Sequence, residues 1–265
     1  MFLRTLQAER MKLHHSPVWL AFLLLPILPA VMGTFNYLQN VGILQEQWYS
    51  LWTQHTLFTC YFFLPAIIGV YCSYLFRLEH LNFNWNAVMT APVPVSYVYL
   101  AKLVFASVMV LLTEAWIGIL FLISGRLCGL NTPIPPELPE WLLYGAVGGI
   151  VICALQLCIS LVIRSFAVPV GIALIGGVSG LAALVKGYGV WFPFSLLCLG
   201  MRANKPGGAM QCSTEQFVLN ALFYLAVCII FAVVWLKKGM WLRGKKHQGQ
   251  AVPRFNRAFS RQLSK

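Results

Sequence analysis

The stretch RLEHLNFNWNAVMTAPVPVSYVYLAK, from Arg77 to Lys102, is a polar interruption between two long apolar runs. Leu78, Leu81, Trp85, Val88 and Met89 recur at spacings of three and four, which is one stripe of a helix. The opposite face carries Glu79, Asn86 and Thr90, with Phe83 in its middle. Pro92 and Pro94 then stop the helix, because proline has no backbone donor and restricts the residue before it. The pattern predicts a short amphipathic helix lying against a membrane. Phe83 on its polar face points either at a partner or into lipid; an ordinary loop is the plainer reading.

The rest of the chain supplies that membrane. Hydrophobic residues make up 59% of it and charged residues 10%, and the mean hydropathy is +0.75. A typical soluble domain is about one-quarter charged, so these values describe an integral membrane protein. The apolar runs are too long and continuous for barrel strands, so the spans are helices. The first run begins near Val18, is long enough to span and lacks a small-residue cleavage site, unlike a removable signal peptide.

The net charge of +12 follows topology rather than nucleic-acid binding. Six spans place 15 of the 19 Lys and Arg on one side, among them Arg4, Arg10, Lys12, Arg77, Lys102, Arg164 and nine in the tail. Arg126, Lys186, Arg202 and Lys205 fall on the other. The asymmetry predicts that both termini are cytoplasmic. All seven acids are Glu.

Most of the eight cysteines lie in or near apolar spans, where Cys acts as a small hydrophobe. Cys128 and Cys212 fall in loops expected outside, where either a disulfide or two free thiols fit.

Residues 2–13 read as an interfacial helix with Phe2, Leu3, Leu6 and Leu13 on its apolar side and Arg4, Glu9 and Lys12 elsewhere. His14 and His15 read as interfacial residues ahead of a Ser16-Pro17 cap. Spans are expected at about 18–37, 55–76, 97–123, 141–163, 167–185 and 217–236, with bends at Pro26 and Pro29 and a hinge or kink at Pro65. Trp48, Tyr49 and Trp52 suggest an aromatic belt. Glu114 lies inside the third span. It is either a functional ionisable group or a protonated acid hydrogen-bonded to a neighbouring helix, which Gly118 would let approach. Gly145-x-x-x-Gly149 and Gly176-x-x-x-Gly180 allow close helix contact. Residues 187–201, with Trp191, Pro193 and Ser195, are too short and broken for a span and read as an outer re-entrant segment. The domain plan is therefore an interfacial helix over 1–16, a six-helix body over 17–240 with the polar loop at 77–96, and a basic tail over 241–265. In that tail Val252, Phe255, Phe259 and Leu263 form a stripe suited to an anionic leaflet.

No complete Gly-x-x-x-x-Gly-Lys-Ser/Thr loop, His-Glu-x-x-His, Gly-x-Ser-x-Gly or Cys-x-x-Cys occurs, so the familiar signatures of nucleotide binding and hydrolysis are missing. The expectation is a protein without enzymatic activity, cofactor or metal of its own.

Three segments together resemble a known family. LQAERMKLHHSPVWL, through Glu9, Lys12 and Ser16, resembles the connecting helix of ABC-2 type transporter membrane subunits. EHLNFNWNAVMTAPVPVSYVYLAK, through Glu79, Trp85, Pro92, Ser96 and Lys102, resembles their first cytoplasmic loop, and WFPFSLL, through Pro193 and Ser195, their outer re-entrant segment. Within the superfamily the layout over about residues 1–240 is similar to the lantibiotic-immunity and bacitracin-resistance permeases. Where that loop more often has a basic residue after its tryptophan, this chain has Asn86.

The resemblance implies an all-α permease in the plasma membrane of a Gram-positive bacterium. A separate cytosolic ATPase dimer, holding ATP and Mg, would dock against Arg77, Glu79, His80, Phe83, Trp85 and Asn86, together with Glu9. A second permease subunit, identical or paralogous, would complete the path. The cargo would be an amphipathic peptide antibiotic taken from among the membrane lipids. Two alternatives stay open: an exporter of another peptide or lipid-like cargo, and a non-transporting membrane sensor or assembly protein.

Overall fold

The computed structural model describes residues 1–14, 16–80, 93–208 and 210–250, with side chains as far as residue 238. No strand occurs among the described residues. The N-terminal helix, Phe2–Leu13, precedes six helices long and apolar enough to cross a membrane: Val18–Gln39, Trp48–His80, Val95–Leu127, Leu138–Val162, Ala167–Val185 and Thr214–Lys238. These are called the first to sixth spans. The helix of the last continues to Gln250, beyond the expected end near residue 236. The hydrophobic stripe expected in the tail lies outside the described residues.

Proline shapes the first two spans. The first is helical over Val18–Leu24 and again over Ile27–Gln39, broken at Leu25-Pro26, because the Pro26 ring removes a donor and crowds the turn before it. In the second, a π-helical turn at Thr59–Phe63 lies immediately ahead of Pro65. The wider turn takes up the break that the proline imposes. This span runs from Trp48 to His80, well past the expected 55–76 at both ends.

The fourth span is the most buried and packs against the second, third and sixth, while the first and sixth are the least buried. Small residues give it close contacts. A Cβ at Gly148 would stand 2.5 Å from the Leu197 backbone nitrogen, so the short buried helix Ser195–Gly200 lies directly on the span. The two small-residue motifs serve the same end: Gly145 and Gly149 face Met201 and Val110, and Gly176 and Gly180 face Phe194.

The expected aromatic belt is corrected by the structure. Trp48 and Trp52 are core residues, packed edge-on against Phe121, and Trp52 also meets Trp141 with ring centroids 5.1 Å apart. They are buried without loss because their indole N–H groups find acceptors. Trp48 donates to the Thr132 carbonyl at 3.0 Å and Trp52 to the Met201 carbonyl at 2.8 Å.

Candidate functional site, a buried ion cluster

Four charged side chains meet at the end of the bundle where the N-terminal helix lies. Glu9 and Lys12 come from that helix, Glu79 from the last turn of the second span and Lys102 from the first turns of the third. Lys102 Nζ donates to Glu9 Oε2 at 2.9 Å, to Glu79 Oε1 at 2.9 Å and to the Leu75 carbonyl at 3.0 Å. An ammonium has three donors, so all are used. Lys12 Nζ donates to Glu9 Oε1 at 2.8 Å and to Glu79 Oε1 at 2.5 Å. Lys102 is fully buried, Glu9 and Glu79 are nearly so, and only Lys12 reaches the surface. Two carboxylates and two ammonium groups make a neutral set, the form in which buried charge is tolerated. The Phe76 ring lies 5.4 Å from Lys102 Nζ and closes one side. Burial lowers the Lys12 pKa, but the charge of Glu9 and the hydrogen bonds of Glu79 and Glu9 outweigh it, so it rises above the ordinary lysine value.

This geometry corrects two expectations. The sequence pattern puts Glu79 on the polar face of a separate amphipathic helix; it is buried at the end of the second span, which continues through His80. The sequence pattern puts Glu9 off the apolar stripe of the N-terminal helix. It lies on that helix's buried side with Leu13, while Leu3, expected in the stripe, is exposed. In both cases lysines neutralise the carboxylate, so it can turn inward.

The other site residues fall as follows. His80 Nε2 is 3.3 Å from the Ser160 carbonyl on the fourth span. Arg77 is exposed, its guanidinium 5.7 Å from the centre of the Phe166 ring. Phe83, Trp85 and Asn86 lie outside the described residues. Ser195 is buried and donates to the Gly180 carbonyl at 2.9 Å, Pro193 is half-buried and Trp191 is exposed. Cys128 and Cys212 are free thiols, not a disulfide. Glu114 is buried beside Gly145, and neither of its carboxyl oxygens has a hydrogen-bond partner among the described residues. Among the described residues Glu114 therefore does not form the hydrogen bond to a neighbouring helix that the structural reading expects. Gly118 does admit a close neighbour, the Leu142 side chain.

The sequence names Lys12 and Lys102 only as part of the family resemblance, not as site residues. A usable signal was there: Glu9 sits three residues after Leu6 and four before Leu13, on the same helical stripe as both. A carboxylate in an apolar stripe requires a cation.

The sequence profile of the ABC-2 family transporter proteins matches residues 5–180, well over half of the chain. The chain belongs to the ABC-2 transporter family. The matched region contains all four charged residues of the cluster and stops before the sixth span. As an ABC-2 transporter subunit the protein is a multi-pass membrane component that works with an ABC ATPase. No curated protein matches the chain. Within this ABC-2 subunit the ion cluster joins the N-terminal helix to the second and third spans at the two roots of segment 81–92.

Proposed function

We propose that this protein is the permease subunit of an exporter that removes an amphipathic antimicrobial peptide from the plasma membrane and so confers immunity or resistance. Both termini and segment 81–92 face the cytosol in this reading, and residues 187–201 form the outer re-entrant segment. The ATPase dimer, carrying ATP and Mg, engages Phe83, Trp85 and Asn86 beneath the bundle, with the exposed face of the N-terminal helix beside them. A second permease, alike or paralogous, supplies the other half of the path.

The observation that supports this reading is the placement of the Glu9–Lys12–Glu79–Lys102 cluster. Segment 81–92 leaves the second span just after Glu79 and returns to the third shortly before Lys102. A load applied to it reaches three helices held by buried charge-assisted hydrogen bonds, which are stronger than neutral ones. The N-terminal helix, the second span and the third span then move as one unit. The cargo assignment rests on the similarity to lantibiotic-immunity and bacitracin-resistance permeases.

The test is reconstitution with the ATPase partner in vesicles, reading peptide-stimulated ATP hydrolysis and peptide release. Phe83→Ala is expected to lower both while the permease still inserts and folds. Lys102→Arg, which keeps the charge but cannot keep all three bonds of the ammonium, is expected to uncouple hydrolysis from release. Normal export by both variants would remove the coupling assignment, and hydrolysis indifferent to every peptide tested would remove the cargo assignment.

A further inference from the structure

Between the fourth, fifth and sixth spans runs an apolar groove of about 420 Å³, lined by Leu155, Ile159 and Val162, by Ile172, and by Val227 and Phe231, with Ile163 at its end. The Cys158 thiol, also in its wall, is already bonded to the Cys228 carbonyl at 3.3 Å. On the fourth span the groove runs from Leu155 to Val162, about 10 Å of depth, and ends where the helix ends. It therefore lies within one leaflet, at the end of the bundle that carries the ion cluster.

Its mouth is cationic. Arg164, exposed, follows the lining residue Ile163 and has no carboxylate partner among the described residues. Arg77 reaches the same linker through its contact with Phe166. Lys237 and Lys238, both exposed, follow Phe231 by about two turns on the sixth span. Glu9 and Glu79, acids at this end, are already bound to lysines.

We propose that the groove is a binding site for an anionic phospholipid, with one acyl chain along the apolar wall and the phosphate at Arg164. Arg77, Lys237 and Lys238 supply the surrounding positive field. The charge pattern selects this occupant over two others. A second copy of the chain seated here would bring its own Arg164, Lys237 and Lys238 against these, and a cationic peptide would meet the same repulsion. A lipid that is apolar in its tail and negative at its head matches both halves of the site.

The test is native mass spectrometry of the detergent-purified chain, titrated with phosphatidylglycerol or with phosphatidylcholine bearing the same acyl chains. Phosphatidylglycerol should be retained in preference. Arg164→Gln should reduce that preference about fivefold, the effect of one cation near the headgroups, and Arg164→Lys should keep it. Val227→Trp, which fills the groove from the sixth span, should expel the lipid whatever its headgroup, and Ile172→Phe should do so from the opposite wall. Equal retention of the two lipids, a preference unmoved by Arg164→Gln, or lipid kept by both filled variants would overturn the proposal. Loss of a dimer by the filled variants with lipid retained would assign the groove to a second copy and overturn it as well.

Discussion

Lys102 Nζ stands 2.9 Å from Glu79 Oε1, although 23 positions separate the two residues in the chain and segment 81–92 lies between them. The pair closes the base of that segment, and Glu9 and Lys12 lock the N-terminal helix onto it. Because Lys102 is fully buried, its removal leaves two carboxylates facing one partly exposed lysine. Lys102→Met is expected to cost about 3–5 kcal/mol, the usual loss when one partner of a buried pair is deleted. Lys102→Met combined with Glu79→Gln restores charge balance through Lys12 and Glu9, and should recover a large part of that loss. A double-mutant cycle on thermal unfolding in detergent measures the coupling; additive losses would show that the pair contributes no specific interaction.

Lys12 makes two of the same bonds from a position about one-third exposed. Water can then replace part of what the side chain supplies, so Lys12→Ala should be milder than Lys102→Met in the same unfolding assay. Proteolysis should locate the effect. The N-terminal helix, which holds two of the four charges, should become cleavable in Lys12→Ala at temperatures where the six spans remain intact. Uniform destabilisation of the whole bundle would contradict a local role.

Six membrane helices were legible because long apolar runs have few other solutions, and the fifth was placed at the same bounds, Ala167–Val185. Helix ends were less legible. Trp48 and Trp52 carry polar tips that suit an interface equally well, and only the carbonyls of Thr132 and Met201, far off in sequence, show that the tips are satisfied indoors. The charged site was half legible. Glu9 and Glu79 could be named, but their orientation depended on Lys12 and Lys102, and the bonds that bring Glu79 to Lys12 and Glu9 to Lys102 cross 67 and 93 positions. Periodicity reports which face a residue occupies, not which cation waits opposite it.

Glu114 presents the reverse case, a buried carboxyl with both oxygens unpartnered among the described residues. Desolvating such a group costs about 1–3 kcal/mol when nothing replaces its water. Glu114→Met, of similar length and fully apolar, is therefore expected to raise the thermal stability of the permease, and Glu114→Gln should not. If the carboxyl is kept for transport, the stabilised Glu114→Met protein should export less cargo per ATP. A stabilised variant with unchanged export would identify Glu114 as a tolerated defect, and a destabilised one would reveal a partner for the carboxyl.

The contact between the fourth span and the helix Ser195–Gly200 depends on the absence of a side chain. A Cβ at Gly148 would come within 2.6 Å of the Leu196 carbonyl carbon and the Leu197 Cα, atoms of a backbone that cannot swing aside as a flexible side chain could. Accommodating one methyl group would push the short helix away from the span, with it the Met201 carbonyl that accepts from Trp52. Gly148→Ala is expected to cost about 1–3 kcal/mol as overpacking. Gly171 on the fifth span has no neighbour within 4 Å of the same added atom, so Gly171→Ala should be neutral or slightly stabilising through helix propensity. Thermal melts of the two variants side by side separate close packing from any general effect of replacing glycine: equal losses would mean that the Gly148 contact is not tight in the membrane, and a loss confined to Gly148→Ala would fix the short helix against the fourth span.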